Sequence, residues 1–241
     1  AGKGRIMNPR LTPLAAALAV AFLAPAHAQP ASLDPVVVTA TRQPVRESQL
    51  LSDVTVIERA DIDLAGQSTF TDLLARQPGL QVATNGSNGA TTSIFMRGAN
   101  SNQVLVLIDG MRVGSATSGT AAWSRIPLSQ IDRVEILRGP ASSLYGSEAI
   151  GGVIQIFTRS GEGPARLFGE IGGGSYSTFQ ANAGFSGARE GWQYALNLAT
   201  DYTRGFNSIA NPRNRAYNAD NDGFRQNSLS GRLAYEFVKG H

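Results

Sequence analysis

The sequence predicts an α+β domain followed by the first antiparallel strands of a transmembrane β-barrel, in a chain marked for export. Three observations predict it. An apolar run closed by small residues lies near the N-terminus; residues 49–160 mix short helical and strand patterns; from residue 163 onward, apolar and polar residues alternate in long runs. The 241 residues allow a sizeable core, and the 27 glycines point to many tight turns.

Residues 7–28 read as a signal peptide that begins at Met7, with residues 1–6 an upstream extension. Arg10 supplies the charged end, residues 14–23 the apolar run, and Ala26-His27-Ala28 the cleavage site, so the mature chain is expected to start at Gln29. The competing reading, an N-terminal membrane anchor, fits less well, because the run is short for a bilayer span and small residues end it. The absence of cysteine excludes disulfides, a lipoprotein anchor and thiolate metal sites. Part of the +3 net charge sits on Lys3, Arg5 and Arg10, and no basic stripe follows, which argues against nucleic acid as a partner.

Enzyme chemistry fails by inventory. The two histidines are His27, ahead of the cleavage site, and His241, so with no cysteine the usual Ser–His and Cys–His pairs are missing. Gly146 to Gly151 has phosphate-loop spacing, but Gly152-Val153 stands where Lys-Ser/Thr is needed.

The segment 29–48 contains "DPVVVTA" (34–40), whose three consecutive valines favour an extended chain with no obvious partner strand beside it. In the domain 49–160, strands are expected at 54–57, 93–97, 104–108, 111–113, 133–137 and 153–158. The run at 104–108 is apolar throughout, so it should be buried on both faces; Asp109-Gly110 after it is a tight-turn signal. Thr69 to Asp72 fits a capping box that opens a helix with Phe70, Leu73 and Leu74 on one face, and Pro78-Gly79 stops it. Residues 114–125 read as a loop. Arg97 and Arg138 stand next to buried strands and need carboxylates or carbonyls, within the domain or across to the barrel.

Four alternating runs fill 163–241. In the clearest, Trp192, Tyr194, Leu196, Leu198, Thr200 and Tyr202 share one face, with Gln193, Asn197 and Asp201 on the other. Alternation over about ten residues with aromatics near the strand ends is the transmembrane β pattern; a soluble sandwich with one wet face is the alternative. Four strands cannot close a barrel, since an open edge would leave backbone groups unpaired in lipid. The expectation is therefore an N-terminal portion of a longer protein.

The stretches "DPVVVTA", "FTDLLARQPGLQV" (70–82, taken as a helix), "SIFMRGANSNQVLVLIDGMRV" (93–113) and "IDRVEILRGPASSLYGSEAIGGVIQIFT" (131–158) resemble the TonB-dependent outer-membrane receptors, nearest to the family's cobalamin transporters. The resemblance implies a plug domain inside a barrel of about 22 strands, in the outer membrane of a Gram-negative cell, with the N-terminus periplasmic. It makes Asp34, Pro35, Val36, Val37, Val38, Thr39 and Ala40 the box that adds as a strand to TonB; a Val-rich linker is the plainer alternative. It implies cobalamin contacts at Thr91, Ser93 and Asn100 and, in a second loop, at Thr117 and Ser118. Small polar loops suit a large neutral ligand, whereas an anionic siderophore would favour arginines there. The same resemblance maps calcium ligands onto Asn207, Asn218, Asp220 and Asp222 in the loop 203–225, where a solvated polar turn is the alternative. No covalent cofactor is implied. A ferric-siderophore receptor of the same architecture, or a surface receptor for colicin or phage, are the alternative functions.

Overall fold

The computed structural model describes residues 53–209 and 211–237, together with the backbone of Val37–Val38 and Val45–Arg46. The signal-peptide reading and the positions Asp34, Pro35, Val36, Thr39 and Ala40 lie outside the described residues. The valine run does find a partner within the chain: strand β1 (Val37–Val38) pairs antiparallel with β2 (Val45–Arg46) over two residue pairs. This differs from the expected unpaired strand; exposed N–H and C=O groups of an extended segment seek a ladder.

The α/β domain is a five-stranded sheet in the order β3 (Asp53–Ile57), β8 (Ile131–Arg138), β9 (Gly152–Thr158), β6 (Val104–Ile108), β7 (Met111–Arg112). Only β6 and β9 pair in parallel. The continuous apolar run fits the place of β6 inside the sheet, between β9 and β7. Val104 and Val106 enter one core with Phe70, Leu74, Trp123, Ile136 and Ile154, while Leu105 and Leu107 enter a second core on the other face with Leu137 and Val153. Asp109 (φ 49°) and Gly110 (φ 80°) form the two-residue turn between β6 and β7, with both residues in the left-handed region. Gly110 meets that demand without cost; Asp109 is held there by its carboxylate, which accepts Thr158 N–H at 2.9 Å.

Helix α1 (Arg59–Ala65), absent from the sequence expectation, opens on a reciprocal Glu58/Asp61 capping box. Helix α2 (Phe70–Ala75) opens on Thr69, whose hydroxyl oxygen accepts Asp72 N–H at 3.1 Å, and it buries Phe70, Leu73 and Leu74 as expected. The stretch 70–82 is not one helix. It ends at Ala75, and after Pro78-Gly79 the chain becomes strand β4 (Leu80–Thr84), paired antiparallel with β5 (Thr92–Met96). The proline breaks the helix, and the pairing from Leu80↔Met96 to Thr84↔Thr92 overrides what remains of its propensity. A short helix α3 (Ser142–Tyr145) follows β8.

Four long strands then form a consecutive antiparallel sheet: β10 (Arg166–Gly174), β11 (Thr178–Arg189), β12 (Trp192–Thr203) and β13 (Phe224–Tyr235). Cross-strand pairs such as Phe179↔Tyr202, Ala183↔Leu198 and Tyr194↔Leu233 gather the apolar residues on one face. That face points outward: Leu167, Ile171, Leu229 and Leu233 are 69–87% exposed. The polar face packs on the α/β domain. A soluble sandwich does the reverse, hiding its apolar face and wetting its polar one.

Candidate functional site

The loop of the α/β domain between β4 and β5 meets the long loop between β12 and β13. The loop between β4 and β5 closes on itself, with Asn85 N–H donating to Thr91 C=O (3.0 Å) and Ala90 N–H to Ser87 C=O (3.0 Å). Its tip lies against the β12–β13 loop: Ser87 Oγ donates to the Asp222 carbonyl, and Gly89 (φ 92°) lies so close to the Phe224 ring that a Cβ would stand 2.2 Å from it. Only glycine fits both that conformation and that contact. The loop 114–120 is held by Ser115, which accepts Gly119 N–H and donates its own N–H to Thr120 C=O.

Beneath these loops a polar seam separates the domain from the inner face of the strands. Its upper cleft, about 290 Å³, is lined by Thr69, Ser87, Trp123, Gln180, Asp201 and Gln226 among others. A second cleft of about 240 Å³ continues it past Arg59, Glu170 and Asn182. Side-chain amides of the strands bridge the seam to main-chain carbonyls: Gln180 to Ser68 (2.8 Å), Gln226 to Arg125 (3.1 Å) and Asn197 to Ser129 (3.5 Å). Arg232 on β13 reaches Asp109 at 3.9 Å, and the Arg159 guanidinium lies 4.1 Å from the Phe168 ring centre.

Residues 46–153 match the family model of the TonB-dependent receptor plug domain. The α/β domain is similar to that plug domain and takes the label plug from it. Solved structures repeat the wider arrangement of plug followed by antiparallel strands. The siderophore receptor PirA from Acinetobacter baumannii is 26% identical over 85% of this chain and 31% of its own (TM-score 0.64). PirA from Pseudomonas aeruginosa is 26% identical over 79% and 33% (TM-score 0.55). A ferric enterobactin receptor mutant (PfeA) from Pseudomonas aeruginosa, in complex with enterobactin, is 22% identical over 79% and 32% (TM-score 0.60), a likeness of fold. The chain spans about a third of the length of these structures.

Inside the plug, the two arginines singled out in the sequence share one carboxylate. Arg97 pairs with Asp53 Oδ2, and Arg138 Nη1 lies 3.2 Å from Asp53 Oδ1. Arg138 also donates to Pro78 C=O (2.7 Å) and Thr55 Oγ1 (2.7 Å), so Nε and Nη1 of this almost fully buried guanidinium are bonded, while its buried Nη2 has no hydrogen-bond partner among the described residues. The pairing is therefore within the plug. Sequence alone does not indicate Asp53, which lies 85 positions from Arg138. Fully buried Glu135 pairs with Arg133 at 3.0 Å, and Arg133 in turn covers the Phe157 ring.

Thr91 is exposed on the β4–β5 loop, Ser93 is half-buried in β5, and Asn100 caps the turn Ser101–Gln103 from an exposed position. Thr117 and Ser118 sit exposed on the 114–120 loop, where their N–H groups donate to Ser115 Oγ. None of these five lines the two clefts; Ser87 and its neighbours Gly86, Asn88 and Gly89 line the upper one. In the β12–β13 loop, Asn207 Oδ1 accepts Ile209 N–H (2.9 Å) and Asn207 Nδ2 donates to Asn218 C=O. Asp222 Oδ2 accepts both the N–H (2.9 Å) and the hydroxyl of Ser208, and these bonds hold its carboxyl below the usual carboxylate range. Two of the four groups mapped to calcium are thus engaged by the loop itself. Among the described residues no group of three or more His, Cys, Asp or Glu side chains converges. As they stand, the four do not fit a calcium cage.

Proposed function

We propose that this chain is the N-terminal part of a TonB-dependent outer-membrane transporter that captures a large metal chelate at the loop end and passes it inward past the plug. The inverted sheet carries this reading: polar amides face the plug while leucines face outward. The apolar band is bounded by aromatics at both ends, with Phe179, Tyr202 and the Tyr176–Phe206 contact at one and the Trp192–Tyr235 and Phe185–Tyr194 contacts at the other. Ten residues of β12 separate Trp192 from Tyr202, roughly 33 Å along the strand at about 3.3 Å per residue; at a tilt of about 40° that rises roughly 25 Å, the height of the apolar band of such barrels. TonB would add a strand along Asp34–Ala40 after the β1–β2 pair opens, main-chain bonds replacing main-chain bonds.

The ligand we favour is a ferric siderophore. Its support is the siderophore receptors among the similar structures and the arginines of the β12–β13 segment, Arg204, Arg213, Arg215 and Arg225 against Asp220 and Asp222, which suit an anionic chelate. Cobalamin is the second reading. Its support is that the plug loops 85–91 and 114–120 carry no charged residue, which suits a neutral, amide-rich ligand. Contacts at Thr91, Ser93, Asn100, Thr117 and Ser118 belong to that reading. A calcium ion bound through Asn207, Asn218, Asp220 and Asp222 would have to displace Ser208 from Asp222, so it requires a rearranged loop.

The test is calorimetry on the receptor carrying this chain, in detergent, with ferric siderophores and with cyanocobalamin, each with calcium and with chelator. Siderophore binding supports the first reading; binding of cyanocobalamin alone replaces it with the second. Deleting residues 34–40 should leave binding intact and abolish uptake. Uptake that survives the deletion would remove the TonB step.

A further inference from the structure

We propose that Asp222 is a positioning residue that staples the β12–β13 loop to the plug loop 85–91, so that the two move as one unit. The inference rests on the reading of this end of the molecule as the ligand-binding mouth. Asp222 engages three partners with different atoms. Its carboxylate takes the N–H and hydroxyl of Ser208, on the opposite arm of its own loop. Its N–H donates to Phe206 C=O at 3.2 Å, closing the same arm. Its carbonyl accepts the hydroxyl of Ser87 on the plug. Two side-chain-free positions bring the loops this close: Gly89 lies on Phe224, beside Asp222, and a Cβ on Gly86 would stand 2.9 Å from Ser208 Oγ. Ser87 is only 5% exposed although it sits at a loop tip.

The chemistry of the carboxylate is decided by these neighbours. An acceptor filled by two donors of its own loop organises that loop without a cation. A loop of some twenty residues is costly to order on ligand binding, and a prior tie to a rigid plug removes part of that cost. Ligand contact on either loop is then transmitted to the other through Ser87 and Asp222.

Hydrogen exchange on the receptor in detergent, without ligand, tests the staple. The reporters are the amides of Asn85 and Ala90, whose bonds close the plug loop. Ser208→Ala removes a bond wholly inside the β12–β13 loop, yet it should speed exchange at Asn85 and Ala90 about three- to tenfold. Ser87→Ala should reciprocally speed exchange at the Asp222 amide. Acceleration confined to residues 204–223 in Ser208→Ala overturns the proposal. So does a wild-type protein in which chelator alone reproduces the effect of Asp222→Asn while Ser208→Ala does nothing, because Asp222 would then act through a cation. The readout needs no substrate; a confirmed staple in a receptor that binds neither ligand class would sink the transport reading and leave the staple standing.

Discussion

Asp53 is the residue on which the plug's internal charge balance turns. It is half-exposed itself, but it faces Arg138, whose side chain is only 4% exposed, and Arg97 beside it. Asp53→Asn leaves a buried guanidinium with carbonyl and hydroxyl partners only, and should cost about 1–3 kcal/mol. A lowered melting temperature of the plug should show it, while Arg189→Ala, which removes an exposed pair with Glu190, should change nothing measurable. Burial also pushes the carboxyls of Asp132 and Glu58 above their usual values of 3.8 and 4.5, against the pull of Arg159 and Arg133 respectively. An acid whose folded pKa is raised holds its proton more tightly when folded. Its contribution is present below the usual carboxylate range and is lost as pH rises through the raised value. Asp132→Asn should therefore stabilise the plug at neutral pH and flatten the fall in stability above pH 4, as read from melting curves across pH. Asp222 has the opposite sign: its bonds to Ser208 persist above the usual range and fail as pH drops below it.

At the scale of elements, the four-strand sheet and the plug helices both expose leucines. Leu198 and Leu229 lie mid-strand on the outward face, 54% and 69% exposed, and Leu64 on α1 is 86% exposed. If the outward face meets lipid, Leu198→Arg or Leu229→Arg should cost about 2–4 kcal/mol near the bilayer midplane. Leu64→Arg should stay within about 0.5 kcal/mol. The yield of each variant folded into lipid vesicles checks this. Equal tolerance at all three sites would place the sheet in water. The β4–β5 loop makes a second case. Gly89→Ala forces a side chain against Phe224 in a left-handed conformation, and should cost about 1–3 kcal/mol and separate plug loop from strand loop.

At the scale of the whole molecule, the five-stranded plug sheet and the four long strands are joined by a polar seam rather than a shared core. Besides the Ser87–Asp222 bond and the Gly89–Phe224 contact at the loops, the contacts across it among the described residues include single amide–carbonyl bonds, one weak ion pair and one cation–π contact. Each such bond is worth about 1 kcal/mol net, much less than the apolar burial within the plug. The plug should therefore unfold in urea as its own cooperative unit, before the strands. Trp123 is buried in the plug, and Trp192 packs on Tyr235 at the end of the long strands away from the β12–β13 loop. The fluorescence change lost in Trp123→Phe should report the early transition, and that lost in Trp192→Phe the late one. A single coincident transition would show that the seam couples the two sheets more strongly than its contacts suggest.

Local chemistry made much of this protein legible from sequence. The Thr69 cap, the Asp109-Gly110 turn, the doubly buried run 104–108 and the period-two runs after 163 each state their structure within a few residues, because capping, turn geometry and side-chain alternation act at that range. The Glu58/Asp61 box was equally local and would have revealed α1. Other features were decided only by tertiary structure. Alternation defines two faces of a sheet but not which one meets solvent; that depended on the plug filling the polar side. The split of 70–82 into helix and strand depended on β5 offering Leu80–Thr84 a partner. Asp53 meeting Arg138, 85 residues away, and Ser87 meeting Asp222, 135 away, depended on chain closure, and no pattern within a window of sequence records which distant carboxylate or carbonyl a donor will reach.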